Sequence, residues 1–226
     1  MPAAMSIASA QLTAKKKTTI RVLGVDPAVA GATGYGVIEF DGAHATLMRF
    51  GALKLPARAA FGARLSEIHR LIAGLMAQFA PDAVAVESVF TALNMRTALK
   101  LAEMRGVVLL AAEQAKIPAH SYSPREVKAS VAGFGAASKQ QIQQMVRSLL
   151  NLQEIPEPLD ASDALAVALC HAYLNRAKQR MAAATGIGAT IVAGVAAGVA
   201  GGAAIAGEGG VSLTKGAARM AVSRRA

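Results

Sequence analysis

One cysteine, Cys170, stands alone in 226 residues. An internal disulfide is therefore impossible, and a zinc site built from cysteines is excluded. A reducing, cytoplasmic compartment fits such sparing use of thiols. Acids are also few: 14 against 24 lysines and arginines, for a formal charge of +10. An excess of that size points to an acidic partner such as nucleic acid. Its location narrows the inference. Residues 1–19 hold Lys15, Lys16 and Lys17 and no acid, and residues 178–226 hold six bases against Glu208 alone. The intervening 20–177 carry fifteen bases and thirteen acids. A globular core that binds DNA must therefore do so through a local patch.

Charge is absent altogether from Met181 to Gly207, 27 residues bounded by Arg180 and Glu208. The length alone would allow a membrane span, and Gly194, Gly198 and Gly202 have the spacing of closely packed helices. The segment is mostly alanine and glycine, however. These supply little transfer energy, and glycine is a poor helix former. A low-complexity tail without membrane insertion is the expectation. The first nineteen residues lack apolar periodicity and read as a disordered leader. Their lysines follow the weakly apolar part rather than precede it, which argues against a cleaved signal. A second methionine, Met5, is an alternative candidate for the start. The expected organisation is a basic leader over 1–19, a folded domain over 20–177, and an Ala/Gly-rich tail with a basic end over 178–226.

The folded part is organised around Arg21 to Phe40. A short apolar run, Val22 to Val25, stops at Asp26-Pro27, as a buried strand does. Further strands are predicted at about 34–40, 44–54, 83–86 and 117–122. Leu65, Ile68, Leu71, Ile72, Leu75 and Phe79 form one helical stripe over 59–79. A long helix is predicted over Thr91–Ala115, with Leu99, Ala102, Gly106, Leu109 and Leu110 facing inward. Ser123-Pro124-Arg125-Glu126 and Ser138-Lys139-Gln140-Gln141 have the pattern of capping boxes that open helices. A last core helix is predicted from Leu159 to Asn175.

Two of these strands run into a carboxylate, Asp26 and Glu87. At the carboxyl end of a strand such residues are placed where open α/β sheets do their chemistry. Asp160 and Asp163 are three apart at a helix start and share a face. Acids there also complement the helix dipole, which is sufficient reason for one of them. If Asp26, Glu87, Asp160 and Asp163 converge, four such anions cannot coexist without a cation. An all-oxygen donor set suits Mg²⁺ or Mn²⁺ rather than zinc. Spacing alone does not establish the convergence.

Four blocks then occur in order: GVDP with TGYGVIE, VESVF with ALKLAEMRGV, YSPREVK with GFG and SK, and LDASDALAVALCHA. Together they resemble the bacterial Holliday-junction resolvase (RuvC) family, over about residues 20–176. The resemblance implies an α/β, RNase H-like fold with a five-stranded mixed sheet flanked by helices. It implies a homodimeric endonuclease, dependent on Mg²⁺ or Mn²⁺, that nicks four-way junction DNA symmetrically. Branch-migration proteins RuvA and RuvB are the partners implied. By motif position Asp26, Glu87, Asp160 and Asp163 correspond to the family's catalytic carboxylates. Two ions about 4 Å apart would straddle the scissile phosphate in such a site. Phe90 matches a position near the junction centre, where an aromatic can stack on an unpaired base. Lys128 and Lys139 match basic positions of the DNA-binding face. Arg96, Lys100, Arg105 and Arg125 are added as candidate phosphate contacts.

Some residues depart from the family pattern. Ala28 stands where the family has glycine after Asp-Pro, the loop before Gly34 is one residue longer, and Leu93 replaces a lysine. Cys170 and His171 receive no role. Other functions compete. Gly24 to Gly36 imitates the phosphate hairpin of actin-like ATPases, but that fold needs a second lobe and usually a longer chain. An RNase H-like nuclease with another nucleic-acid substrate would use the same acids. A non-cleaving junction-binding protein would have no use for four acids beside phosphates.

Overall fold

The computed structural model describes residues 19–29, 31–56, 58–88 and 94–184. Phe90 and Leu93 lie outside these, as do the leader through residue 18 and the tail from residue 185. The chain divides into two units between Lys178 and Gln179, and the acids at the strand ends lie wholly within the first.

Five strands form one mixed sheet in the order β3-β2-β1-β4-β5. β1 (Ile20–Asp26), β2 (Ala32–Phe40) and β3 (Ala45–Lys54) form an antiparallel meander, with a register shift at Val37/Ile38. β4 (Ala83–Glu87) runs parallel to β1, and β5 (Ala119–Tyr122) runs parallel to β4. The carboxyl ends of β1, β4 and β5 therefore open on the same edge. α1 (Phe61–Phe79) and α2 (Met95–Gln114) precede β4 and β5; α3 (Pro124–Ala132), α4 (Lys139–Leu149) and α5 (Leu159–Ala184) follow.

The alternation of side chains along a strand sorts the sheet into two faces. Leu23, Val25, Val37, Val84 and Val86 pack with α1 and α2. Val22, Ile38, Phe40, Ala85 and Tyr122 pack with α3, α4 and α5. By the same parity Asp26 and Glu87, the last residues of β1 and β4, point to the α5 side. Helix α5 is buried from Ala161 to Ala172 at every position except Asp163. A helix apolar all round lies inside its domain, and here a single acid interrupts it.

Both expected capping boxes form. Ser123 caps α3 with Glu126 reaching back, and Ser138 caps α4 with Gln141 reaching back. Several boundaries differ from expectation, three of them for a local reason. α2 starts at Met95 because Asn94 caps it, its side chain accepting from the Thr97 amide at 2.9 Å. β5 starts after Pro118, which cannot donate to a ladder. α5 continues past Asn175 to Ala184 through a stretch with no proline or glycine. The inward face of α2 is also corrected. Met104, Val108, Ala111 and Ala112 are buried, Leu109 is half-buried, and Leu99, Ala102, Gly106 and Leu110 are exposed. The helix has apolar residues on two sides, and only one meets the sheet. Among the described residues no helix is long and apolar enough to cross a membrane.

Candidate active site

Asp26 and Glu87 meet because β1 and β4 are parallel and in register, with Val25 opposite Val86. Their side chains share a hydrogen bond. Three glycines bring α5 to them. Gly24, Gly34 and Gly36 face α5, and a Cβ on any of them would collide with it. The obstructing groups are the Ala164 carbonyl, the Asp160 carbonyl and the Leu165 side chain respectively. Gly34 is also the register partner of Asp26. α5 thus lies tight against the sheet beside the first acid.

Asp26, Glu87 and Asp163 line one cavity of about 240 Å³, together with Lys128 from α3 and Lys139 from α4. Asp160 is not in its lining, but its charge acts on both Asp26 and Asp163. Lys139 Nζ donates to Asp163 Oδ2 at 2.6 Å. Val127 and Ile142 supply apolar wall. Sequence reasoning did not find those wall residues, because buried aliphatics carry no signal of which cavity they border.

The electrostatics follow from crowding acids in a partly dry site. Burial, and then the charge of Glu87, hold the Asp26 carboxyl well above its usual range. Burial also raises Glu87, with Asp163 adding to the effect and Lys139 and Lys128 opposing it. Burial raises Asp163 against the pull of its Lys139 partner. The Lys139 ammonium is held up in turn by that hydrogen bond. The Asp26–Glu87 pair therefore retains a proton where isolated carboxyls would be ionised.

Acids crowded in this way mark a place for a cation. Among the described residues no group of three or more acids, histidines or cysteines closes on a point as a ready-made cage. Instead Asp26 and Glu87 share a hydrogen bond, and the Lys139 ammonium pairs with Asp163. The donors are all carboxylate oxygens, the set that hard divalent ions prefer. The residues present fit Mg²⁺ or Mn²⁺.

The remaining basic candidates scatter. Arg125 packs along Gly135, where an added Cβ would lie 2.7 Å from its Cγ. Arg105 donates to Ser121 Oγ, and its buried Nε has no partner among the described residues. Lys100 lies over the Phe61 ring, 5.6 Å from its centroid. Arg96 is exposed. None of these four lines the acidic cavity. A long-range bond that the sequence did not signal joins Tyr122 to His171 at 2.8 Å.

The model of the family "Crossover junction endodeoxyribonuclease RuvC" matches residues 22–171. A crossover junction endodeoxyribonuclease RuvC of Chloroflexus aurantiacus is 45% identical over 161 residues, covering 71% of this chain and 98% of its own. That of Heliobacterium modesticaldum is 46% identical over 152 residues, covering 67% and 93%. Among solved structures, Thermus thermophilus RuvC in complex with a Holliday junction substrate superposes with a TM-score of 0.67 at 36% identity, covering 70% of this chain and 96% of that one. The yeast mitochondrial resolvase Ydc2, at 14% identity and a TM-score of 0.51, shares the fold. With residues 22–171 matched by the family's model and a relative 45% identical over 98% of its own length, the chain belongs to the crossover junction endodeoxyribonuclease RuvC family.

Proposed function

We propose that this protein is a metal-dependent endonuclease that resolves four-way (Holliday) DNA junctions by paired symmetric nicks. The observation that carries the reading is one cavity lined by Asp26, Glu87 and Asp163 together with Lys128 and Lys139. Acids alone would repel a phosphodiester. Acids beside two lysines suit a site that takes both cations and a phosphate backbone.

Asp26, Glu87, Asp160 and Asp163 would hold two divalent ions, Mg²⁺ or Mn²⁺. Such ions would supply a water of lowered pKa and stabilisation of the charge on the leaving oxygen. Asp26 hydrogen-bonds Glu87 and feels the charge of Asp163 and Asp160, so its carboxylate would be the central ligand of the set. Lys128 and Lys139 bind phosphate, and release of Lys139 from Asp163 frees that carboxylate. The products carry 5′-phosphate and 3′-hydroxyl ends that a ligase can seal.

Paired nicking needs two sites, and α2 supports a homodimer. Met95, Leu99, Ala102, Gly106 and Leu110 form an exposed stripe at helical spacing. Met95 is 74% exposed and Leu99 56%. A Cβ on Gly106 would meet nothing within 4 Å among the described residues. An exposed glycine inside a helix costs about 1 kcal/mol relative to alanine, which close approach of a second backbone would offset. A second copy of the chain is the occupant that gives two cuts by twofold symmetry. The cytoplasm is the expected location, with branch-migration proteins RuvA and RuvB as partners.

The deciding experiment is cleavage of a synthetic mobile four-way junction with Mg²⁺, comparing the intact protein with Asp26→Asn. Linear duplex and an RNA–DNA hybrid run alongside. Paired nicks on the junction alone, lost in the variant, support the reading. Cleavage of the hybrid instead would assign another substrate to the same acids. Tight binding without nicks would make it a junction-binding protein.

A further inference from the structure

Tyr122 closes β5 and lies opposite Glu87 in the register of β4 and β5. The chain leaving Glu87 is fastened to it twice. The Ser88 amide donates to the Tyr122 carbonyl at 2.8 Å, and the Ser88 hydroxyl donates to the same oxygen at 3.1 Å. The side chain of Tyr122 goes to α5. Its phenol oxygen lies 2.8 Å from Nδ1 of His171, and both residues are buried. The His120 ring packs 4.7 Å from the His171 ring on the same side of β5. His171 follows Asp163 by eight residues on α5, about 12 Å along a helix axis.

One residue thus touches both halves of the acid site at one remove. Its backbone holds the exit of Glu87, and its hydroxyl holds the helix that carries Asp160 and Asp163. The close approach of Gly34 to Asp160 fixes the start of α5 against the sheet. Gly24 and Gly36 seat α5 further along, at Ala164 and Leu165. All three glycines lie on β1 and β2, and the Tyr122 hydroxyl adds a hydrogen-bonded tie from α5 to β5, the strand beside Glu87, about three turns after Asp160. The bond is not a proton switch. Burial, and then His120, push His171 down to about 4, while burial lifts Tyr122 to about 12. The phenol and a neutral ring persist across the working range. Lys178, Glu126 and Cys170 are the other titratable groups acting on the pair.

We propose that Tyr122 and His171 are positioning residues whose hydrogen bond sets the separation between Glu87 and the aspartates of α5. This inference rests on reading those acids as metal ligands.

The test is calorimetric titration of the full-length protein with Mn²⁺, set beside junction nicking as a function of Mg²⁺. Tyr122→Phe keeps the ring and removes only the hydroxyl. Outer partners of metal ligands typically matter by about tenfold in affinity. We expect that loss in Mn²⁺ binding, with the Mg²⁺ needed for half-maximal nicking rising in parallel. Metal-free junction binding should stay as in the wild type. His171→Asn retains an amide that can accept from or donate to the Tyr122 hydroxyl near the position of Nδ1 and should recover most of the affinity; His171→Leu should not. Wild-type Mn²⁺ affinity in Tyr122→Phe, beside a weakened Asp26→Asn, overturns the inference alone. Equal weakening by His171→Asn and His171→Leu, in step with lost melting temperature, overturns it in favour of packing. If Asp26→Asn binds Mn²⁺ as the wild type does, the metal-site reading falls and takes the inference with it.

Discussion

The backbone carbonyl of Asp160 occupies the space that a side chain on Gly34 would need. Gly34 is the register partner of Asp26, so the residue that pairs with the first acid also admits the helix that brings the others. Gly34→Ala should push α5 outward. Overpacking of this kind costs about 1–3 kcal/mol, and misplacing catalytic groups by about 1 Å costs on the order of a hundredfold in rate. Junction nicking should fall by about that factor while gel-shift binding through Lys128 and Lys139 persists. Unchanged nicking would mean that the approach of α5 has slack.

Charge repulsion among the acids predicts a pH-dependent stability in the absence of metal. Asp26, Glu87 and Asp163 are all raised above their usual values. Carboxyls raised on folding contribute stability that is complete at low pH and lost as pH climbs through the raised values. Asp26→Asn removes one of these charges. Its melting temperature without metal should exceed that of the wild type at neutral pH, and the gain should vanish toward pH 4, near the usual carboxyl range. Mn²⁺ must displace the shared proton, so its affinity for the wild type should rise with pH. A melting difference independent of pH would remove the shared proton from the account.

Local rules made some of this legible in the sequence. Asp26 and Glu87 end apolar runs of strand length, and parity places both on the α5 face. Ser123 and Ser138 announced their helices through short-range hydrogen bonds, and both form. What remained hidden depends on packing between residues distant in sequence. Leu99 and Leu110 look like core residues on a wheel, because a second apolar face and a buried face share one periodicity; only the packing of Met104 and Val108 against the sheet separates them. α5 has almost no periodicity, being buried all round, so its extent could not be read from a stripe. The Tyr122–His171 bond spans 49 residues, and neither residue type alone indicates a partner.

Lys139 stands in for a cation on Asp163 at 2.6 Å. Its removal should affect metal and DNA in opposite directions. Lys139→Ala loses a competitor for the carboxylate, so Mn²⁺ should bind at least as tightly as to the wild type. It also loses a charge that binds phosphate, so nicking should fall at saturating metal. Calorimetry and single-turnover nicking separate the two. Weaker Mn²⁺ binding in the variant would show that Lys139 organises the acids rather than competes for them.

The exposed stripe on α2 predicts a specific failure of paired cutting. Leu99→Glu places a charge where a second copy would bury a leucine, and desolvating an unpaired carboxylate is costly. Leu99 is 56% exposed in the single chain, so the change should leave the monomer's melting temperature within a few degrees. Sedimentation should show monomers. Nicks should become single and uncoupled, leaving junctions cut on one strand. A dimer that survives both Leu99→Glu and Leu110→Glu would place the interface elsewhere.

The segment after Ala184 offers the last separable prediction. Residues 185–226 carry Lys215, Arg219, Arg224 and Arg225 against Glu208. Because α5 extends to Ala184, the informative truncation begins at residue 185 rather than within that helix. At low salt both proteins should saturate the junction, and nicking should be equal. As salt rises the truncated chain should leave saturation first. Its plot of log affinity against log salt should be shallower by about 0.9 for each phosphate that the missing bases would have neutralised. Equal slopes would mean that these bases do not touch DNA, and loss of nicking at low salt would mean that the segment helps to hold the nuclease fold.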